Sequence, residues 1–286
     1  MYVIVLIILV ICGILAAILL PFLEKKNLPQ KFSEYKNNVT VIIPTYNRDK
    51  NYVTRILHEY LDMDIVKDVF LVEFETGNQI RKSPSPKKEK TWRTYTYEND
   101  LRHRFNPVVD VKTESVLITD DDVIVSESVL NNLCFKVDYY PDYFHGIEGR
   151  KFKYDERTNM YSYDSKPIFA KHDMDGEIVD MVLTSCLMAK TELLQEVYRR
   201  FTNTFFKDAM KFNGEDIVIN MINGKSMAWN WEKYFIFKTQ IPFLTFNKKK
   251  MVSGSVNHEI SKKPDHVKER SHVVNTTRNH LLELAK

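Results

Sequence analysis

The stretch LITDDDVIVS, residues 117–126, sets three carboxylates, Asp120, Asp121 and Asp122, directly behind an apolar run. Residues 115–119, SVLIT, read as a strand buried on both faces, because aliphatic and β-branched side chains follow one another without polar alternation. Like charges a few Å apart raise one another's pKa unless a cation lies between them. Side chains two apart on an extended chain face the same way, so Asp120 and Asp122 are expected to share one target while Asp121 points elsewhere. Capping the helix expected from Ser126 onward would occupy a single side chain. A divalent metal accounts for the whole triplet. An EF-hand is excluded: its sixth and twelfth loop positions need Gly and Glu, and counting from Asp120 gives Val125 and Asn131. Oxygen-only ligation suits Mn2+, with Mg2+ as the substitute, and leaves coordination places for the phosphates of a diphosphate ligand.

Outward from the triplet, strands and helices alternate. VTVIIPT (39–45) and VFLVEFE (69–75) read as strands, and NYVTRILHEYLD (51–62) between them has helical spacing. The basic segment 79–96, broken by two Ser-Pro pairs, reads as a loop. SESVLNNLCFKVDYY (126–140) reads as a helix with Ser126 at its N-cap. DMVLTSCLMA (180–189) and YFIFKTQIPFLTF (234–246) complete the strands, with helices at 191–201 and 214–224. Such alternation implies an α/β fold around a mostly parallel sheet, in which ligands bind beyond the carboxyl ends of the strands. The PTYNR turn (44–48) and the triplet both hold that position and should line one crevice. No GxxxxGK[ST], post-strand GxGxxG, HExxH or GxSxG occurs. Metal–diphosphate chemistry without those devices points to a nucleotide-sugar transferase.

The 286 residues, 44% of them apolar, suffice for one sizeable core. A net charge of +3, from 41 basic and 38 acidic residues, carries no field that would mark a nucleic-acid binder. Residues 1–22 contain no charged side chain, and about 20 apolar helical residues span a ~30 Å hydrocarbon layer. With no basic n-region before it, the run reads as an uncleaved transmembrane signal-anchor, followed by a stalk at 23–38 and one domain at 39–286. Lys25, Lys26, Lys31 and Lys36 would by themselves hold that domain in the cytosol. Cys12 lies in the apolar run, which leaves Cys134 and Cys186 as the two that could pair. Asn38-Val-Thr and Asn275-Thr-Thr are N-glycosylation sequons.

Several stretches together resemble the exostosin family, glycosyltransferase family 64, especially its short exostosin-like members. They are TYNR (45–48), NDLRHRF (99–105), TESVLITDDDVIVS (113–126), YSYDS (161–165), MVLTSCLMAKTELL (181–194), NGEDIVINMI (213–222) and HVKERSHVVN (266–275). The aspartate triplet alone is weakly specific; MVLT, then ExD with its IxxNxI continuation, then HxxxRS are far more so. The resemblance implies a GT-A fold and a retaining transferase that moves N-acetylglucosamine or N-acetylgalactosamine from UDP to a glycan, in the heparan-sulfate manner, using Mn2+. Carried over by position, Arg48 and Arg104 would contact the nucleotide, Asn99 would lie beside it, and Asp120 and Asp121 would face ribose and sugar. Asp122 would bind the metal, Asp216 would stand near the reacting carbon, and His266 with Arg270 would line the diphosphate and acceptor side. A Golgi or endoplasmic reticulum membrane, type II topology with a lumenal domain, and a homodimer are the setting it suggests.

Two positions depart from the family pattern. Gly214 and Val273 stand where relatives carry a disulfide pair, so the tie between those segments must rest on packing. EFETGN (73–78) replaces a Trp-Asn pair whose asparagine holds uracil, with Asn78 as the substitute. These departures keep open a catalytically silent relative that binds nucleotide or glycan, and the lysines after the anchor keep open a cytosol-facing transferase with a lipid-linked acceptor. Without the resemblance, Glu215 and Asp216 read as first-turn acids favoured by the helix dipole; with it, Asp216 becomes functional and Glu215 stays structural. Tyr161 and Tyr163 read as an aromatic wall for a sugar.

Overall fold

The computed structural model describes residues 35–46, 48, 50–74, 80–84, 90–168, 176–202, 214–229, 235–236 and 265–285. The expected anchor at 1–22, most of the stalk, Asn78 and most of 234–246 lie outside them. Among the described residues no helix is long and apolar enough to cross a membrane.

The chain enters with β1 (Val39–Thr45), α1 (Lys50–Asp62) and β2 (Val66–Phe74). All seven residues of β1 are buried, as an unbroken β-branched run requires. β3 (Ile80–Pro84) and β4 (Thr91–Tyr97) then form an antiparallel pair where a loop was expected. The Ser-Pro punctuation misled because β3 is the outermost strand of the sheet, where a proline's missing N–H faces no partner. A 3₁₀ helix (Leu101–Asp110) leads to β5 (Ser115–Thr119), β6 (Ile124–Val125), α2 (Glu127–Tyr139), β7 (Phe144–Gly146) and β8 (Gly149–Arg150). Ser126 holds the N-cap position of α2 without a side-chain capping bond; its hydroxyl meets Ser128 instead.

β9 (Phe152–Asp155) and β10 (Met160–Tyr163) make a hairpin, followed by β11 (Glu177–Val179), β12 (Met181–Val182) and β13 (Cys186–Lys190). The single strand expected at 180–189 is thus two, separated by a turn at 184–185. α3 (Thr191–Phe201), α4 (Glu215–Asn223), β14 (Ser226–Ala228), β15 (Phe235–Ile236) and α5 (His266–Leu284) complete the order.

Nine strands form the main sheet in the order β11-β14-β7-β13-β5-β1-β2-β4-β3. β1, β2, β4, β5, β7 and β14 run one way, and β3, β11 and β13 run against them. The mixed α/β sheet agrees with the GT-A expectation. One core layer, around Ile42, Phe105, Ile118 and Val218, lies under α3, α4 and α5; the other, around Ile43, Tyr60, Leu117 and Leu133, lies under α1 and α2. Cys134 and Cys186 sit buried in the second layer as free thiols rather than a disulfide.

α5 covers the hairpin with polar side chains. Asn275 accepts from Tyr161 N at 2.8 Å and donates to Tyr161 O at 2.7 Å, and Ser271 accepts from Tyr163 N at 2.9 Å. Spaced four apart on one helix face, these two residues stand where a further strand would pair with β10. On the other flank of α5, Val273 lies flush against Gly214, where an added Cβ would come within 2.6 Å of Val273 Cγ1. The Gly214–Val273 contact is therefore one of packing.

Candidate functional site

The carboxyl ends of β1 and β5 lie side by side, and the triplet follows β5 there. The turn is closed by Val123 N donating to Asp120 O at 3.2 Å. Tyr60 of α1 pins it from behind: its hydroxyl donates to Val123 O at 3.1 Å and accepts from Val125 N at 3.0 Å. Strand alternation ends at Thr119, so Asp120 and Asp122 do not share a target. Asp121, 8% exposed, turns inward and accepts from Thr45 Oγ1 at 2.9 Å and from Arg48 Nε and Nη2 at 2.8 and 3.0 Å. Asp122 meets the same guanidinium only at 3.8 Å, and Asp120 faces Arg104 Nη1 at 3.5 Å. Burial pushes the Asp121 carboxyl above the ordinary aspartate range, against the pull of Arg48 and Thr45.

Arg104 reaches the site from the 3₁₀ helix, whose start is capped by Asp100 accepting from Arg102 N. Its guanidinium is buried among three segments: Nη1 donates to Thr184 Oγ1 in the β12–β13 turn and faces Asp120, while Nε lies 3.6 Å from Glu215 Oε1. Glu215 opens α4 and is 2% exposed. Burial pushes its carboxyl up to about 7; Arg104 opposes that rise and Asp216 adds to it. Asp216 accepts from Arg270 Nη2 with both oxygens at 2.9 Å. Arg270 comes from α5 and lies over the Tyr163 ring at 4.5 Å. Tyr163 is buried beneath that guanidinium and Tyr161 packs under Arg278, so neither forms the expected open wall.

α4 is itself held by Asn220. Its amide donates to Asp216 O and Val182 O and accepts from Val182 N and the Ser226 hydroxyl, all within 2.7–3.0 Å. One fully buried side chain thus fixes the helix bearing Glu215 and Asp216 against β12 and β14. Of the residues expected at the site, Arg48, Arg104, Asp120, Asp121, Asp122, Asp216 and Arg270 are joined by these contacts. His266 begins α5, edge-on to Tyr163 at 6.5 Å between ring centroids. Asn99 is exposed in the bend before the 3₁₀ helix.

Thr45 lay within the quoted PTYNR turn, Thr184 within MVLTS and Asn220 within the IxxNxI pattern, so their positions were visible though their partners were not. Tyr60 gave no signal beyond helical spacing.

The charge balance bears on a metal. Among the described residues, Arg48, Arg104 and Arg270 face five carboxylates, Asp120, Asp121, Asp122, Glu215 and Asp216. Among the described residues no three His, Cys, Asp or Glu side chains are grouped as a closed metal cage. An oxygen-rich place without a closed cage among the described residues fits Mn2+ or Mg2+ completed by phosphate oxygens. Asp122, the residue expected to bind the metal, lies 3.8 Å from Arg48 Nη2.

Residues 39–283 match the glycosyl transferase family 64 domain. Mouse Exostosin-2 is 26% identical over 201 residues, covering 67% of this chain and 25% of that protein. Human Exostosin-like 2 is 25% identical over 245 residues, covering 79% of this chain and 71% of the relative. The chain therefore spans about a quarter of the longer relative and most of the shorter. Among solved structures, GalNAc-T7 with UDP, GalNAc and Mn2+ aligns with a TM-score of 0.50 at 11% identity, over 69% of this chain and 43% of that one, which establishes likeness of fold alone.

Proposed function

The chain belongs to glycosyltransferase family 64, and from that membership we propose that it is a metal-dependent retaining transferase that moves N-acetylglucosamine or N-acetylgalactosamine from a UDP-sugar to a glycan hydroxyl. The observation that carries this reading is the aspartate turn at the carboxyl end of β5, three adjacent carboxylates set between Arg48 and Arg104. UDP with GalNAc and Mn2+ is the ligand set named for GalNAc-T7, whose fold this chain shares. A cation, which Asp122 would hold, would supply positive charge to stabilise the departing diphosphate. Thr45 and Arg48 hold Asp121, and Arg104 holds Asp120, so that donor-facing carboxylates keep fixed directions. Fixed charges in a partly dry site stabilise developing charge without reorganising, which is the main source of rate.

Asp216 has both oxygens engaged by Arg270, which makes it a weak nucleophile but a rigid electrostatic partner for positive charge growing at the sugar carbon. In the proposed step the bond from that carbon to the diphosphate oxygen breaks, the acceptor oxygen bonds to the carbon from the same face, and its proton passes to the departing diphosphate. The test is release of UDP from a panel of UDP-sugars with Mn2+, with and without glycan acceptors. Binding of UDP without any hydrolysis or transfer would establish the silent relative instead.

We place the protein in the Golgi or endoplasmic reticulum membrane, held by the apolar run at 1–22 with its domain in the lumen. Protection of residues 39–286 from protease in sealed microsomes is expected. Digestion there would give the domain to the cytosol and the acceptor to a lipid carrier.

A further inference from the structure

Two consecutive acids open α4, and the first was expected to be no more than a favourable first-turn charge. Its surroundings are not those of such a charge. Glu215 is buried, and among the described residues its Oε2 has no hydrogen-bond partner, while Oε1 lies 3.6 Å from Arg104 Nε. Burying a carboxylate with so little compensation is unfavourable for folding, and a glutamine or an apolar side chain would serve the core better. A role in the site is the remaining reason for a charge there.

The partner explains what that role is. A guanidinium is a rigid plane with donors on fixed edges. Glu215 Oε1 sets a negative charge 3.6 Å from the Nε edge of Arg104, an ion pair without a hydrogen bond, while Nη1 donates to Thr184 and lies 3.5 Å from Asp120, the first residue of the aspartate turn. Removing the charge on the Nε edge frees the plane to rotate about its stem and uncouples it from Asp120. Asp216, one residue on, points instead to Arg270 and α5. The two neighbours thus serve opposite flanks of the crevice.

We propose that Glu215 is a positioning residue for donor binding: through Arg104 it sets the direction of Asp120, so that nucleotide affinity depends on Glu215 whereas the transfer step depends on Asp216. The inference rests on the proposed UDP-sugar reading and deepens it.

The test titrates the purified full chain with UDP in the presence of Mn2+ by calorimetry and, in parallel, measures single-turnover transfer at saturating donor. Glu215→Gln is expected to weaken UDP binding about tenfold, as loss of a supporting partner does, with the melting temperature and saturated transfer rate near wild type. In an Arg104→Gln background the same change should add less than about twofold, because the path through Arg104 is already broken.

Unchanged UDP affinity in a folded Glu215→Gln protein would overturn the proposal. So would an equal loss in the Arg104→Gln background, or a loss confined to the transfer rate. Should Glu215→Gln fail to fold, Glu215→Asp keeps the charge one methylene short of Arg104; weaker UDP binding supports the proposal and unaltered binding overturns it. If wild type itself takes up no UDP, the donor reading fails and this inference falls with it, an outcome distinct from wild-type binding that Glu215→Gln leaves intact.

Discussion

The turn after β5 and the first turn of α4 both crowd carboxylates at one edge of the crevice, and they handle the crowding differently. In the turn, Asp121 is locked to Arg48 and Thr45, while Asp120 and Asp122 meet arginines only at 3.5 and 3.8 Å. At the helix, Asp216 accepts from Arg270 of α5 with both oxygens at 2.9 Å, whereas Glu215 stands 3.6 Å from Arg104, the arginine that also faces Asp120. The turn is the side proposed to receive a cation; Asp216 at the helix start, bonded twice by Arg270, can act as a fixed wall. The difference lies in the supply of guanidinium, since the acids themselves are alike.

The largest expected effect breaks the receiving side. Asp122→Asn, or chelation of the metal from wild type, should lower transfer by at least about a hundredfold while leaving the melting temperature close to wild type. A variant that retains most of its rate would remove Asp122 from metal binding. Next comes the wall. Arg270→Met leaves Asp216 buried without its partner and should cost about 3–5 kcal/mol in denaturant unfolding, because an uncompensated buried charge is the most expensive remnant of a broken pair. Asn220→Leu deprives both Val182 backbone groups and the Ser226 hydroxyl of their partner and should cost about 3 kcal/mol.

A smaller change sharpens the contrast by stiffening the helix start. Gly214→Cys alone should destabilise by about 1–3 kcal/mol through collision with Val273. Combined with Val273→Cys it should close a disulfide, since the Cβ atoms would stand 3.1 Å apart and need retreat by about 0.7 Å to reach the about 3.8 Å that a bridge prefers. Thiol titration and melting with and without reductant read the outcome. The smallest effect is in pH. Burial raises Glu215 to about 7 in the folded chain against an ordinary 4.5, so between those values the folded state binds more protons than the unfolded one. Stability should therefore fall as pH rises from about 5 to 7, and Glu215→Gln should flatten that slope in denaturant titrations at stepped pH.

What could be read from the chain itself follows the range of the interactions. SVLIT and TELLQEVYRRF were bounded to the residue because their signals are local: a β-branched run in one, a strong apolar stripe in the other. The triplet announced its own chemistry for the same reason. The β3–β4 pair was missed because Ser-Pro marks a break in the interior of a sheet but is tolerated at its rim, and only the strand order reveals which applies. Glu215 was undervalued because its partner Arg104 is brought to it by the fold, from a different segment of the chain. Asp120 faces Arg104 and Asp122 faces Arg48 where one shared target was expected, because a turn, rather than a strand, carries them. Cys134 and Cys186 were open to pairing by count alone, and burial in separate elements of the core leaves them apart.

The pairing of Asn275 with β10 has a bearing on how a cell would handle this chain. In the secretory pathway the oligosaccharide is attached to the asparagine amide nitrogen, the atom that here donates to Tyr161 O. Thr277, the third residue of that triplet, is wholly buried. A sugar tree installed on the nascent polypeptide would hold the last helix off the hairpin and withdraw Arg270 from Asp216. Were the domain lumenal as proposed, folding and modification at this asparagine would exclude one another, and molecules that mature would be bare at that place.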